Sequence, residues 1–527
     1  MKKSAVLIGG LFLLMDTAFA GGILTKTNQS AQFIRMVSRN ASTDIDAVYY
    51  NPAGLGQLEN GFYFSLNNQS LYQTYTVNSE FKYLNNPEYI GDMNAPLFPT
   101  AFAVYKKDKW SVSLGFGPNA GGGSITYATG LPSFEKQIST LPISLSSQGL
   151  PTTSYTANLR LEGSSVFWGT QLNGSYSIND VVTVSLGVRM INAVNTYNGY
   201  IKDIMINPTN PVGGNFGWDG SMRTASSVFT TLSNTSKGAA LMMQPVITGG
   251  GGNSTLSQLQ QAGFITATQA AILAGGLGTD YNPAMTASQV QSAYVAKADG
   301  LAGRAAATAD KNVDVEQTGW SATPIIGVNL HFEKLNIGLK YEHITYLGLF
   351  NNTTEDGTGL FPDGGKTGSD IPPIIAGGAD YQISDKLKIS GSFTYFLDNL
   401  AGWGNNVYGQ ARTIDNNYLE LSLGAEYKLT DKFTLSAGYL NSNAGVSEDY
   451  LSDFSYVNDA NGVGAGFQWK LSDRLTLDAG AMVIGYKDQI KNFDASFDPL
   501  AAAFGPYKET YAKESYSFAF GISYKIF

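Results

Sequence analysis

The 527-residue chain has no cysteine, which excludes a disulfide scaffold and thiolate metal sites, and its net charge of −9 argues against a nucleic-acid partner. Charged residues are only 14% of it, while Tyr, Phe and Gly are plentiful and no window past the first twenty residues would cross a bilayer as a helix. Composition therefore leaves an exported β protein, either a large soluble one or a membrane barrel.

Residues 1–20 read as a secretion signal. Lys2 and Lys3 precede an apolar stretch from Ala5 to Met15, and Ala18-Phe19-Ala20 is a small-x-small cleavage site. The stretch is too short for a transmembrane helix, so a mature chain starting near Gly21 is expected. Asn51-Pro52-Ala53-Gly54 then stands directly before the first alternating run, which starts at Gly61.

From there one phrase recurs: aromatic, polar, apolar, small polar, Asp, any, apolar. It reads YSINDVV from Tyr176, YQISDKL from Tyr381, YKLTDKF from Tyr427 and WKLSDRL from Trp469, with looser versions at Val104 and Leu330. Each is a tight polar turn between alternating runs, a hairpin signal. After Asp180, Val182, Val184, Leu186, Val188 and Met190 share one face, opposite Thr183, Ser185, Gly187 and Arg189. Period-two alternation puts one face in an apolar medium and the other in a polar space.

Six short turns imply twelve strands, and the runs from Gly61 and Glu514 add two. The expectation is an all-β transmembrane barrel of about fourteen antiparallel strands, an even number as in bacterial outer membranes. Long connections of about 118–153, 207–318 and 351–370 fall on the other rim. Tyr176, Tyr381, Tyr427 and Trp469 sit where an aromatic girdle belongs. The last run aligns Tyr516, Phe518, Phe520, Ile522 and Tyr524 and ends in Phe527, a pattern familiar from barrels inserted by the outer-membrane assembly machinery. Within 207–318, TLSQ at Thr255, TATQ at Thr266 and TASQ at Thr286 are capping boxes that predict short helices. Phe264, Ile272 and Leu273 are their candidate ligand-capture residues.

The segment SRNASTDIDAVYYNPAGL, Ser38 to Leu55, resembles the N-terminal plug of the FadL family of outer-membrane channels for long-chain fatty acids and aromatic hydrocarbons. The resemblance rests on Asn51, Pro52 and Ala53, on Asp44 and Asp46 upstream, and on the strand that follows. It implies that residues 21–56 form a hatch inside a barrel of 57–527, with those five residues at the gate. It further implies uptake of hydrophobic molecules such as fatty acids or aromatic hydrocarbons. Extracellular loops would capture them, and a kinked third strand would release them sideways. The third run, KWSVSLGFGPNAGGG from Lys109, supplies that kink at Gly115, Phe116, Gly117 and Pro118, since Gly and Pro interrupt pairing.

Alternation directs Arg160, Arg189 and Lys340 inward as candidate partners for a ligand carboxylate. Inward Glu162, Glu342, Glu420 and Glu426 offer the same cations a structural role. The only histidines are His331 and His343, and no nucleophile-elbow or zinc spacing occurs. Neither an enzyme, a metal site nor a cofactor is expected. The expected setting is the bacterial outer membrane, as a monomer amid lipid and lipopolysaccharide. A FadL-like shuttle or scaffold for secreted proteins is the alternative.

Overall fold

The computed structural model describes residues 27–211, 214–402 and 414–527. The expected secretion signal, and residues 21–26 of the expected hatch, lie outside the described residues. The described chain forms two compact units. One holds Lys136–Asn158 and Ile201–Lys311; the other holds residues 27–135, Leu159–Tyr200 and Asn312–Phe527.

The larger unit opens with two short helices, α1 (Ala31–Arg35) and α2 (Ala47–Tyr50), and a 3-10 turn over Pro52–Gln57. Strands then follow as β1 (Gly61–Ser79), β2 (Glu88–Lys107), β3 (Trp110–Tyr127), β4 (Tyr155–Ser177), β5 (Val182–Ile206) and β6 (Lys311–His331). β7 is Leu335–Glu342 resuming as Gly348–Asp356, and β8 is Lys366–Gly368 resuming as Ile374–Gln382. The last six are β9 (Leu387–Phe396), β10 (Tyr418–Lys428), β11 (Phe433–Asn443), β12 (Ala460–Lys470), β13 (Leu475–Tyr486) and β14 (Tyr507–Lys525). Each strand bonds to the next, and β14 returns to β1 from Tyr63↔Lys525 to Ser79↔Glu509, closing an antiparallel barrel of fourteen strands. Two short stretches, Arg223–Thr224 and Gln489–Phe493, are extensions of the ladders.

Alternation sorts the faces as the sequence implies. Leu186, Val188 and Met190 on β5 and Tyr516, Phe518, Phe520 and Ile522 on β14 are exposed outward, while Thr183, Ser185, Arg189, Ser515 and Ser517 are buried inward. An apolar band this continuous has lipid, not water, as its natural solvent. Beside the short turns, Trp110, Tyr381, Tyr427 and Trp469 also face out, and the Trp110 and Tyr176 rings pack 4.5 Å apart.

Two strands run further than their local sequence suggests. β3 continues through its glycines to Tyr127 because β4 still pairs with it, from Ser124↔Ser164 to Tyr127↔Leu161. β6 begins at Lys311, several residues before Thr318, because β7 supplies partners from Val313↔Asp356 onward. Neighbouring strands override weak local propensity.

Between β3 and β4 lie helices α3 (Pro132–Ser139) and α4 (Leu141–Ser147). The smaller unit is built on α5 (Ala225–Thr248), α6 (Leu256–Gln261), α7 (Ala267–Leu277) and α8 (Ala287–Ala307). The last three start at the three capping boxes, each with both reciprocal hydrogen bonds formed. Met243, Leu259, Leu273, Val290 and Tyr294 form its core. Leu273 is thus buried, while Phe264 and Ile272 are exposed. Asp203, at φ +52°, donates its N–H to Asp310 Oδ1 (3.0 Å), tying the two ends of the insertion together. A final helix, α9 (Pro499–Phe504), precedes β14.

Candidate functional site

The N-terminal segment lies inside the barrel wall, and the Asn-Pro-Ala-Gly turn explains how it is held. Asn51 stays out of the α region, which a following proline disfavours, at φ −152° and ψ 72°. Its side chain donates to Asn329 Oδ1 (2.7 Å) and Ser42 O (3.2 Å). Pro52 starts the 3-10 turn, where its missing N–H costs nothing, and its carbonyl accepts from Ser175 Oγ (2.7 Å). Ala53 is fully buried, and a Cβ on Gly54 would collide with Ser42 O. The two upstream acids serve one cation: Arg39 reaches Asp46 (2.6 Å) and Asp44 (2.8 Å). Asp46 also accepts from Ser42 Oγ (2.7 Å) and Ser30 Oγ (3.0 Å).

From Ile34 to Ala41 the segment rests directly on sheet backbone. Inward positions there are glycine: a Cβ at Gly480 would sit 2.8 Å from Arg35 N, one at Gly438 2.9 Å from Val37 N, and one at Gly378 2.8 Å from Ala41 N. A Cβ at Gly464 would collide with Ile34 O and one at Gly338 with Asn40 O. A buried ion network fastens the same arc. Arg35 bonds Asp478 (2.8 Å) and Glu426 (2.5 Å), and Lys388 bonds Glu426 (2.5 Å).

Arg189 and Lys340 share Glu342, at 2.5 Å and 2.7 Å. Arg189 also reaches Gln171, and Lys340 donates to Tyr49 O (2.8 Å). Their charged groups flank the Tyr49 ring at 4.7 Å and 4.8 Å. Both therefore clamp α2 to the wall, the structural role that the inward glutamates offered. Arg160 pairs with Glu162 (3.0 Å), both well exposed.

The opposite arc is built differently. β2 and β3 pair from Lys107↔Trp110 to Ala101↔Phe116, then not again until Asn94↔Ser124. The interruption holds Pro96 and Pro99 on β2 and Pro118 on β3, three residues with no N–H to donate. Gly121 and Gly123 there have φ of +80° and +115°. Of the four kink residues expected, Gly115 and Phe116 still pair with β2, while Gly117 and Pro118 begin the break. The gap is bridged from within by Gln29, whose Nε2 donates to Pro118 O (2.8 Å) and whose carbonyl accepts from Thr100 Oγ1 (2.8 Å). Beside it the side-chain amide of buried Asn119 has no hydrogen-bond partner among the described residues.

On the inner side of this break is a cavity of about 260 Å³. Gly121, Gly123, Leu71 and Met93 line it near the break, and Phe33, Ile34, Leu440 and Met482 elsewhere. One cation enters it, Lys513 of β14, 4.7 Å and 4.8 Å above the Tyr75 and Tyr486 rings. Sequence reasoning passed over Lys513, although it alternates with inward Ser515 and Ser517. It also passed over Pro96 and Pro99, whose signal was two prolines inside a strand-length run.

Neither a family model nor a curated protein sequence matches this chain. Among solved structures, the crystal structure of a Pseudomonas aeruginosa FadL homologue is similar to it across 96% of this chain and 100% of that one, at 14% identity and a TM-score of 0.57. The toluene transporters TodX of Pseudomonas putida (12% identity, 95% and 99% of the chains, TM-score 0.49) and TbuX of Ralstonia pickettii (13%, 92% and 94%, TM-score 0.45) are more distant. The first of these likenesses shows the fold: a FadL-type barrel, an architecture of the bacterial outer membrane.

Proposed function

We propose that this chain is an outer-membrane channel for hydrophobic small molecules, fatty acids and aromatic hydrocarbons among them, which leave the lumen sideways between β2 and β3. The observation that carries the reading is the junction of the cavity with the wall. Gly121 and Gly123 line the one and belong to the break in the other. Unpaired strand backbone is tolerated at membrane depth only where it faces protein or a cavity. A greasy ligand passing there stays out of water, which is worth about 0.8 kcal/mol per CH₂. Residues 27–56, the described part of the expected hatch of 21–56, act as the hatch, and Asn51, Pro52 and Ala53 fix its seat.

The absence of cysteine makes a direct test available. A Cβ on Gly117 would sit 3.2 Å from Thr100 Cβ, close to the roughly 3.5–4.5 Å of a disulfide. Thr100→Cys with Gly117→Cys should stitch the edge of the break. Uptake of labelled oleate or toluene by cells should fall on oxidation and recover with reductant. Uptake indifferent to the redox state, with the disulfide confirmed, sends the ligand elsewhere. The alternative reading, a scaffold for secreted proteins, draws on exposed Leu241, Phe264 and Ile272 in the helical unit. It requires that excising residues 204–309 abolish secretion of a client and spare hydrophobic uptake.

A further inference from the structure

Resting on that channel reading, we infer that the cavity selects an aromatic monocarboxylate, with its carboxylate on Lys513 and its ring among the tyrosines. Lys513 is a cation inside the wall that forms no ion pair among the described residues, its ammonium group set against two aromatic faces. The other inward cations described above, Arg35, Arg39, Arg189, Lys340 and Lys388, all hold carboxylates. With tyrosines as its close neighbours, this ammonium group has no carboxylate already bound to it, and a ligand carboxylate can take that place.

The walls define the rest of the ligand. Six tyrosines line the cavity: Tyr75, Tyr127, Tyr197, Tyr418, Tyr456 and Tyr486. Several are fixed by their own partners and so present set faces and edges. Tyr75 donates to Gln73 Oε1 (3.1 Å) and packs edge-on to Tyr456, which donates to Ala512 O (2.9 Å), while Tyr197 stacks on Phe361. Ring-on-ring packing is favourable beyond the area it buries, a gain that an alkyl chain does not collect. A cavity of about 150 Å³ already holds one benzene ring. The 260 Å³ here accommodates a ring with a short acidic side arm. Glu420 also lines the space and accepts from Thr27 Oγ1 (3.2 Å).

The test is equilibrium binding to the full-length protein in phosphatidylcholine nanodiscs, with 3-phenylpropionate, octanoate and ethylbenzene as probes. Phenylpropionate should bind about tenfold tighter than octanoate, and Lys513→Gln should lower the phenylpropionate-to-ethylbenzene affinity ratio by about tenfold. Lys513→Arg should restore most of that ratio. Heat-modifiable gel mobility confirms that each variant is a folded barrel. Octanoate binding as tightly as phenylpropionate overturns the aromatic class. A parallel loss of both phenylpropionate and ethylbenzene in Lys513→Gln makes the lysine structural and overturns its role. If cells take up toluene or oleate but the protein fails to bind phenylpropionate, this inference alone falls. If no hydrophobic probe binds or is taken up, the channel reading falls with it.

Discussion

The two arcs of the barrel hold the same N-terminal segment by different means. Along β7 to β13, residues 34–41 lie on glycine-cleared backbone and are tied by Arg35 to Asp478 and Glu426. Along β2 and β3, contact with the segment's start is through neutral hydrogen bonds of Gln29 to groups at a break in the ladder. Close packing and buried charge make a permanent seat, while a few neutral hydrogen bonds make a contact that can be released. On the proposed reading, release is expected at residues 27–30, with residues 34–41 staying on their glycine bed.

Substitutions on the two arcs should separate these roles. Arg35→Met leaves Asp478 buried without its cation, and should cost about 3–5 kcal/mol, read as a lowered guanidinium midpoint. Gly480→Ala forces a methyl group to within 3 Å of Arg35 backbone and should cost about 1–3 kcal/mol. Gly485→Ala, with nothing within 4 Å, is its control and should be neutral. Gln29→Ala should cost least, about 0.5–1.5 kcal/mol, and yet raise uptake of a hydrophobic probe by releasing Pro118 O. If Gln29→Ala destabilises as much as Arg35→Met, the contrast between the arcs is wrong. If it leaves uptake unchanged, Gln29 is not the latch.

The barrel was legible because its signals are local. Asp180, Asp385, Asp431 and Asp473 mark turns between runs whose period is readable within a dozen residues. The capping boxes at Thr255, Thr266 and Thr286 were readable for the same reason, each being complete within four positions. The seat was not legible in that way. Gly480 looks like any strand glycine until Arg35, far away in sequence, is known to lie against it. Arg189 and Lys340 were read correctly as inward, but side-chain alternation gives a direction and not a partner. Glu342 lies between them only because β5, β6 and β7 adjoin. Lys513 was readable as inward, yet its lack of a carboxylate emerges only when all the neighbouring strands are in place.

The glycine seat also constrains the order of assembly. Arg35 and Asp478 are 443 positions apart, and Gly438, Gly464 and Gly480 all belong to strands made late. Residues 34–41 are thus made well before their bed, which does not exist until β10 to β13 stand side by side. Contacts so distant in sequence form slowly, since the loop must close before any of them repays its entropy. In the interval Arg35 and the apolar residues around it have no partners in the wall. The unassembled chain therefore carries residues 34–41 without their bed until the last strands join.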